Sequence, residues 1–210
     1  PTAYTDPSGR EGFLIGLLYA ALFAGAWSAA QAGIQAEFYG ANFWDSFGKN
    51  FALNFAFTFL GMAITEVAAA LENFGKAIAG GGGGPPVIPN YGLGWGGVYT
   101  STNVPMLDRG FSLGFFQYLA GEPFGALIYW HEVGHTINWT IAGALTGPDW
   151  GDKLAFTASW FIGHGLGSIG APNKGDFNPF TLVGEGAADF WSSPWYHFHE
   201  VRRYPFFSPM

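Results

Sequence analysis

Cysteine is absent from this 210-residue chain. Disulfides and thiolate ligands are therefore both excluded, so any metal must be held by histidine and carboxylate. Charge is scarce as well. Asp, Glu, Lys and Arg make up 11% of the residues, against 49% apolar and 19% aromatic. The usual charged share of a globular domain is roughly 25%. A surface so poor in charge is expected to meet a membrane, a partner or an enclosing shell. The eight basic residues are scattered and the net charge is -7, which excludes a phosphate-tracking stripe and, with it, nucleic acid as a partner. Histidine occurs five times, always at or after position 131. No repeat of the kind that builds solenoids is present.

Long uncharged runs are what the first third of the chain has in place of charge. Gly12 to Ala36 carries no charged residue, and Phe13–Ala30 is almost wholly apolar or small. That run is long enough to cross a bilayer, and Gly16, Gly25 and Gly33 would allow close helix packing. The competing reading is a buried core hairpin, because Ala and Gly insert weakly. A signal peptide over Gly12–Ala30 is disfavoured, since Arg10 is the only positive charge before it and Glu11 follows at once. Tyr39-Gly40-Ala41-Asn42 reads as a turn, and a second uncharged run, Asn50–Thr65, leads into a helix reaching Ala79. Together the runs predict an apolar helical region over 11–79, with possible membrane contact through 12–65. Gly80–Gly84 and Pro85-Pro86 then form a linker, 80–86. Val87–Met106, with Gly, Asn, Pro and Thr interleaved among aromatics, reads as short strands or an irregular loop that offers an edge to a peptide.

The chemistry concentrates in Trp130-His131-Glu132-Val133-Gly134-His135, an H-E-x-x-H motif on a helix expected from Phe124 to about Leu145. Leu127, Trp130, Val133, Ile137 and Ile141 recur at helical spacing as its predicted buried stripe, and Gly147-Pro148 is its stop. Histidines four apart share a helix face and can grip one Zn²⁺, while the glutamate between them can serve as general base toward a water. A catalytic zinc takes three protein ligands. The metzincin pattern is ruled out, because Asn138 and Ile141 stand where Gly and His would be needed. Glu185 and Asp189, four apart on a later predicted helix, fit better: one carboxylate completes a His₂Glu set, and the other can orient a ligating imidazole. His164, between two glycines, is the rival third ligand.

H-E-x-x-H followed by E-x-x-x-D resembles the gluzincins, the thermolysin-like zinc peptidases. The resemblance implies His131, His135 and Glu185 as ligands, Glu132 as base and Asp189 as the residue orienting a histidine. A donor to the developing oxyanion is also expected, with His164, Tyr196 and His197 as candidates and His199 read as part of a packed aromatic tail.

Pro1-Thr2-Ala3-Tyr4-Thr5-Asp6-Pro7-Ser8-Gly9 reads as an extended segment closed by a turn, and a start at Pro1 instead of Met reads as a piece of a longer protein. Pro1, Asp6, Pro7 and Gly9 also match the N-P-x-x-x-x-D-P-x-G-L close of the RHS-repeat core in RHS and insecticidal Tc-type toxins, with Arg10 in place of Leu. That resemblance implies a C-terminal toxin domain, enclosed by an RHS shell before its release into a target cell and neutralised by a cognate immunity protein.

The expectation is thus a mainly α chain with a minor β or irregular segment. It divides into an RHS-like boundary (1–10), an apolar helical hairpin (11–79), a linker (80–86) and a zincin-like zinc metallopeptidase domain (87–210) acting on a protein or peptide. Two other readings stay open: a membrane-inserting or translocation module whose metal site is structural, and a processing peptidase with no toxin role.

Overall fold

The computed structural model describes residues 10–79, 84–107, 110–125 and 127–170. The fold is mainly α with one small sheet, as the sequence predicts. Helices α1 (Arg10–Tyr39) and α2 (Phe43–Ile78) form an antiparallel hairpin. Its bend uses Gly40 at φ +64° and then Asn42, whose side-chain oxygen accepts the Asp45 backbone N–H at 3.1 Å and caps α2. Small residues let the two helices approach: Ala20, Ala24 and Ala32 are fully buried, and a Cβ on Gly16 would stand 2.6 Å from the Met62 methyl. Along one side of α2, Phe43, Phe47, Phe51, Phe55 and Phe59 stack ring on ring at four-residue steps.

The chain after the glycine run forms strands β1 (Tyr91–Gly94), β2 (Gly97–Thr100), β3 (Phe111–Leu113) and β4 (Phe116–Tyr118), in sheet order β1-β2-β4-β3. The outer pairs are antiparallel and the central β2–β4 pair is parallel. At the β1–β2 turn Gly97 adopts φ +127°, and a side chain there would meet the Phe115 carbonyl, which accepts the Val98 N–H at 2.8 Å. The sheet lies on the hairpin. Thr58 Oγ1 accepts the Phe115 N–H at 2.9 Å, Tyr91 donates to Glu66 at 2.8 Å, and Gly61 leaves room for the Phe116 ring. Met62, Tyr91, Val98, Phe116 and Tyr118 make the core between them.

Helix α3 (Leu127–Leu145) packs on both, and α4 (Trp150–Gly170), not anticipated from the sequence, packs Phe156 at a tilt and Trp160 edge-on against Trp139. The segments on either side of 80–86 therefore share a core. A buried polar network joins them alongside that apolar core. Asn54 donates to Ser28 Oγ and Gln31 Oε1, both at 2.9 Å, and accepts from the Trp139 indole N–H at 2.9 Å. Gln31 donates to the Thr140 carbonyl and Gln35 to those of Gly143 and Thr146. Lys153 of α4 donates to Asn50 and Gln35. These groups are buried, so each bond satisfies atoms that water cannot reach.

Candidate metal centre

The H-E-x-x-H residues lie in the first half of α3, and the face they occupy differs from the predicted one. The buried side chains of α3 are Tyr129, Glu132, Val133, His135, Thr136, Trp139, Thr140 and Ala144, whereas Trp130 and Ile137 are only half-buried and Ile141 is exposed. Of the predicted apolar stripe, Val133 alone is buried among the described side chains. The reason is the polar interior. Thr136 Oγ1 accepts from Gln117 at 2.9 Å, Trp139 bonds Asn54, and the Thr140 carbonyl takes Gln31, so hydrogen bonding turns the hydroxyl-bearing face inward.

His131 and His135 converge. Their Nε2 atoms are 3.1 Å apart, with the rings perpendicular and their centroids separated by 4.7 Å. For an ion about 2.05 Å from each nitrogen, that separation corresponds to an N–metal–N angle of about 98°. This is close to the tetrahedral bite of two imidazoles on one zinc, and helix spacing alone provides it without moving the backbone. Glu132, 3% exposed, is buried between the helix and its neighbours. The donor set thus fits Zn²⁺ as far as its first two ligands. Among the described residues no third His, Cys, Asp or Glu joins them.

Glu185 and Asp189, together with Tyr196 and His197, lie outside the described residues. His164 falls on α4, one turn past Trp160, which packs on Trp139; its side chain is outside the described part.

The surroundings form a groove. The Tyr129 hydroxyl accepts the Trp95 backbone N–H at 2.6 Å, and a Cβ on Gly96 would stand 3.0 Å from Val133. The β1–β2 turn is therefore fixed against the residues flanking the motif. Beside it an open cavity of about 300 Å³ is lined by Phe23, Leu93, Gly94, Trp95 and Phe124. No family model matches the chain, and searches of curated proteins and of solved structures return no match either. The geometry carries the functional argument by itself.

Of the groove residues, Phe23 was not foreseen. It comes from the apolar run of α1, where one phenylalanine among many carries no signal. Trp95 and its neighbours fall in the stretch read as a possible edge for a peptide, and β1 is indeed an edge strand of the sheet.

A further electrostatic feature lies at the bend end of the hairpin, away from the motif. The Lys153 pKa is lowered from 10.5 to about 8, chiefly by burial, with nearby Lys49 adding to the drop and Asp152 partly opposing it. Lys153 stands in the first turn of α4, near Asp45, Lys49 and Asp149 at one end of the bundle.

Proposed function

We propose that this chain is a zinc-dependent peptidase that hydrolyses peptide bonds at the H-E-x-x-H site. The observation that carries this is the 3.1 Å approach of the half-buried His131 and the buried His135 through their Nε2 atoms, with buried Glu132 between them in sequence. His131 and His135 would hold the ion, with Glu185 as third ligand and His164 as its rival. Zn²⁺ bound there would supply Lewis acidity to a peptide carbonyl and to water. Glu132 is the proton carrier. It takes a proton from water as the water oxygen bonds to the carbonyl carbon, then gives it to the departing amine as the C–N bond breaks. Asp189 would accept the outer N–H of a ligating imidazole and fix its orientation. An extended substrate can add to the β1 edge, with side chains entering the groove at Phe23, Trp95 and Phe124.

The wider setting is part of the same proposal. A domain delivered by an RHS-type toxin would have the shell and an immunity protein as partners, and the D-P-x-G boundary at the start of the sequence supports that setting. The test of the chemistry is Glu132→Gln, which keeps size and removes the base. Zinc should remain bound while proteolysis, and toxicity on expression, fall at least ~100-fold. Undiminished proteolysis by the zinc-loaded variant would refute the role of Glu132.

A further inference from the structure

The distribution of polarity in this fold is inverted. Between residues 12 and 36 every exposed position of α1 is apolar or glycine, including Leu14, Ile15, Leu18, Leu22, Trp27 and Ile34. On α2 every exposed position from 52 to 79 is apolar or glycine, including Phe59, Leu60, Ile64, Val67, Leu71 and Phe74. Meanwhile Ser28, Gln31 and Gln35 of α1 and Asn50, Asn54 and Thr58 of α2 are buried. The core helix of a water-soluble protein can be equally apolar, but it is mostly covered. Here only 22% of the most apolar stretch of α1 and 33% of that of α2 is buried.

The dimensions fit one kind of covering. The exposed apolar face of α1 runs from residue 14 to 34, about 30 Å at 1.5 Å per residue, and that of α2 is longer. The hydrocarbon core of a bilayer is also about 30 Å thick. Most charges of the hairpin stand at its two ends, Glu37, Asp45 and Lys49 at the bend and Glu11, Glu72 and Lys76 at the open end, while Glu66, between them, is half-buried and accepts the Tyr91 hydroxyl. Buried amides and hydroxyls that bond one another are what helix contacts in lipid require, because no water is present to satisfy them.

We infer that the hairpin is embedded in a lipid bilayer and that the metal site lies near its mid-depth, where the substrate is an apolar, membrane-embedded peptide segment. Helix α3 runs parallel to α1, since Gln31 meets Thr140 and Gln35 meets Gly143. Continuing that register toward the motif places His131 and His135 level with about residues 22 and 26 of α1. The centre of the uncharged run 12–36 is residue 24. Phe23, level with the motif in that register, lines the open cavity at the β1–β2 turn. That groove gives the edge strand β1 an open cavity instead of lipid, and gives the reaction water. The substrate half of this inference rests on the proposed peptidase activity; the depth half does not.

The absence of cysteine makes the depth measurable. The full chain carrying Glu132→Gln is reconstituted in phosphatidylcholine vesicles with single spin-labelled cysteines at Glu11, Leu22, Ile64 or Glu37. Labels at 22 and 64 should be at least ten-fold more accessible to oxygen, relative to a water-soluble nickel chelate, than labels at 11 and 37. Equal water access at all four sites overturns the inference. So does a lipid-free soluble oligomer in which 22 and 64 are shielded from both reagents, which would assign the face to a second copy. For the substrate, the unsubstituted chain should cleave a vesicle-spanning Leu/Ala helical peptide and leave casein uncut. Cleavage of casein with the peptide intact would refute the substrate class and leave the peptidase reading standing. If neither is cut, the peptidase reading fails and the substrate class with it, while the labels still decide the depth.

Discussion

Asn54 is the point at which the hairpin holds the motif-bearing helix, and replacing it with leucine tests whether that polar junction orders the fold. The asparagine is 1% exposed and uses both amide protons and its carbonyl: Ser28 and Gln31 accept from it, and Trp139 donates to it. Leucine keeps the heavy-atom count and branching of asparagine, so it removes three hydrogen bonds without opening a cavity that water could enter. A buried hydrogen bond contributes about 1 kcal/mol net, and an orphaned buried partner costs roughly 1–3 kcal/mol. The orphans are unequal. Gln31 keeps its bond to the Thr140 carbonyl, but the Trp139 indole N–H has no other partner in the network described. Asn54→Leu should therefore destabilise the chain by about 3–5 kcal/mol. Trp139→Phe removes the orphaned donor, so in that background the cost should fall by about 1–2 kcal/mol. Denaturant unfolding of the four members of the cycle, followed by circular dichroism, supplies the coupling. Costs that add to within about 0.5 kcal/mol would show that the Asn54–Trp139 bond does not couple α2 to α3.

Three further outcomes follow from the same coordinates. Lys153 has a folded pKa of about 8 against 10.5 for the free side chain, so between those values the unfolded chain binds more protons. Stability should rise as pH increases from 8 to 10.5, by up to about 3 kcal/mol, and Lys153→Met should flatten that rise; a pH-independent melting midpoint in the unsubstituted chain would contradict it. Gly61→Ala places a Cβ 2.5 Å from Phe116 Cδ1, so it should cost about 1–3 kcal/mol and lower the melting midpoint. Gly33→Ala, whose Cβ meets open space in the interior of α1, should raise it by as much as about 1 kcal/mol of helix propensity.

The hairpin could be read from its uncharged runs, its bend from Tyr39-Gly40-Ala41-Asn42, and the end of α3 from Gly147-Pro148. Such local signals act within a few residues and need no partner. Burial on α3 was less legible. An apolar stripe at 127, 130, 133, 137 and 141 predicts the inward face only when the core is apolar, whereas here Gln31, Asn54 and Gln117 draw Thr136, Trp139 and Thr140 inward. Strands β3 and β4 have three residues each, too few for a period of two to show. Helix α4 opens on Trp150, Gly151 and Asp152, and Gly163, Gly165 and Gly167 in its second half lower its helix propensity. The histidine pair was legible because four-residue spacing on a helix fixes a separation. The expected third ligand, Glu185, lies outside the described residues.

Zinc-edge X-ray absorption on the purified full chain tests the central claim most directly. The proposal predicts one zinc per chain, with two imidazole nitrogens at about 2.0–2.1 Å and a carboxylate oxygen completing the protein ligands. His131→Ala and His135→Ala should each abolish the bound metal, and Glu185→Ala should remove the oxygen contribution. A chain that holds no zinc, or whose zinc spectrum is unchanged by loss of both histidines, would contradict it.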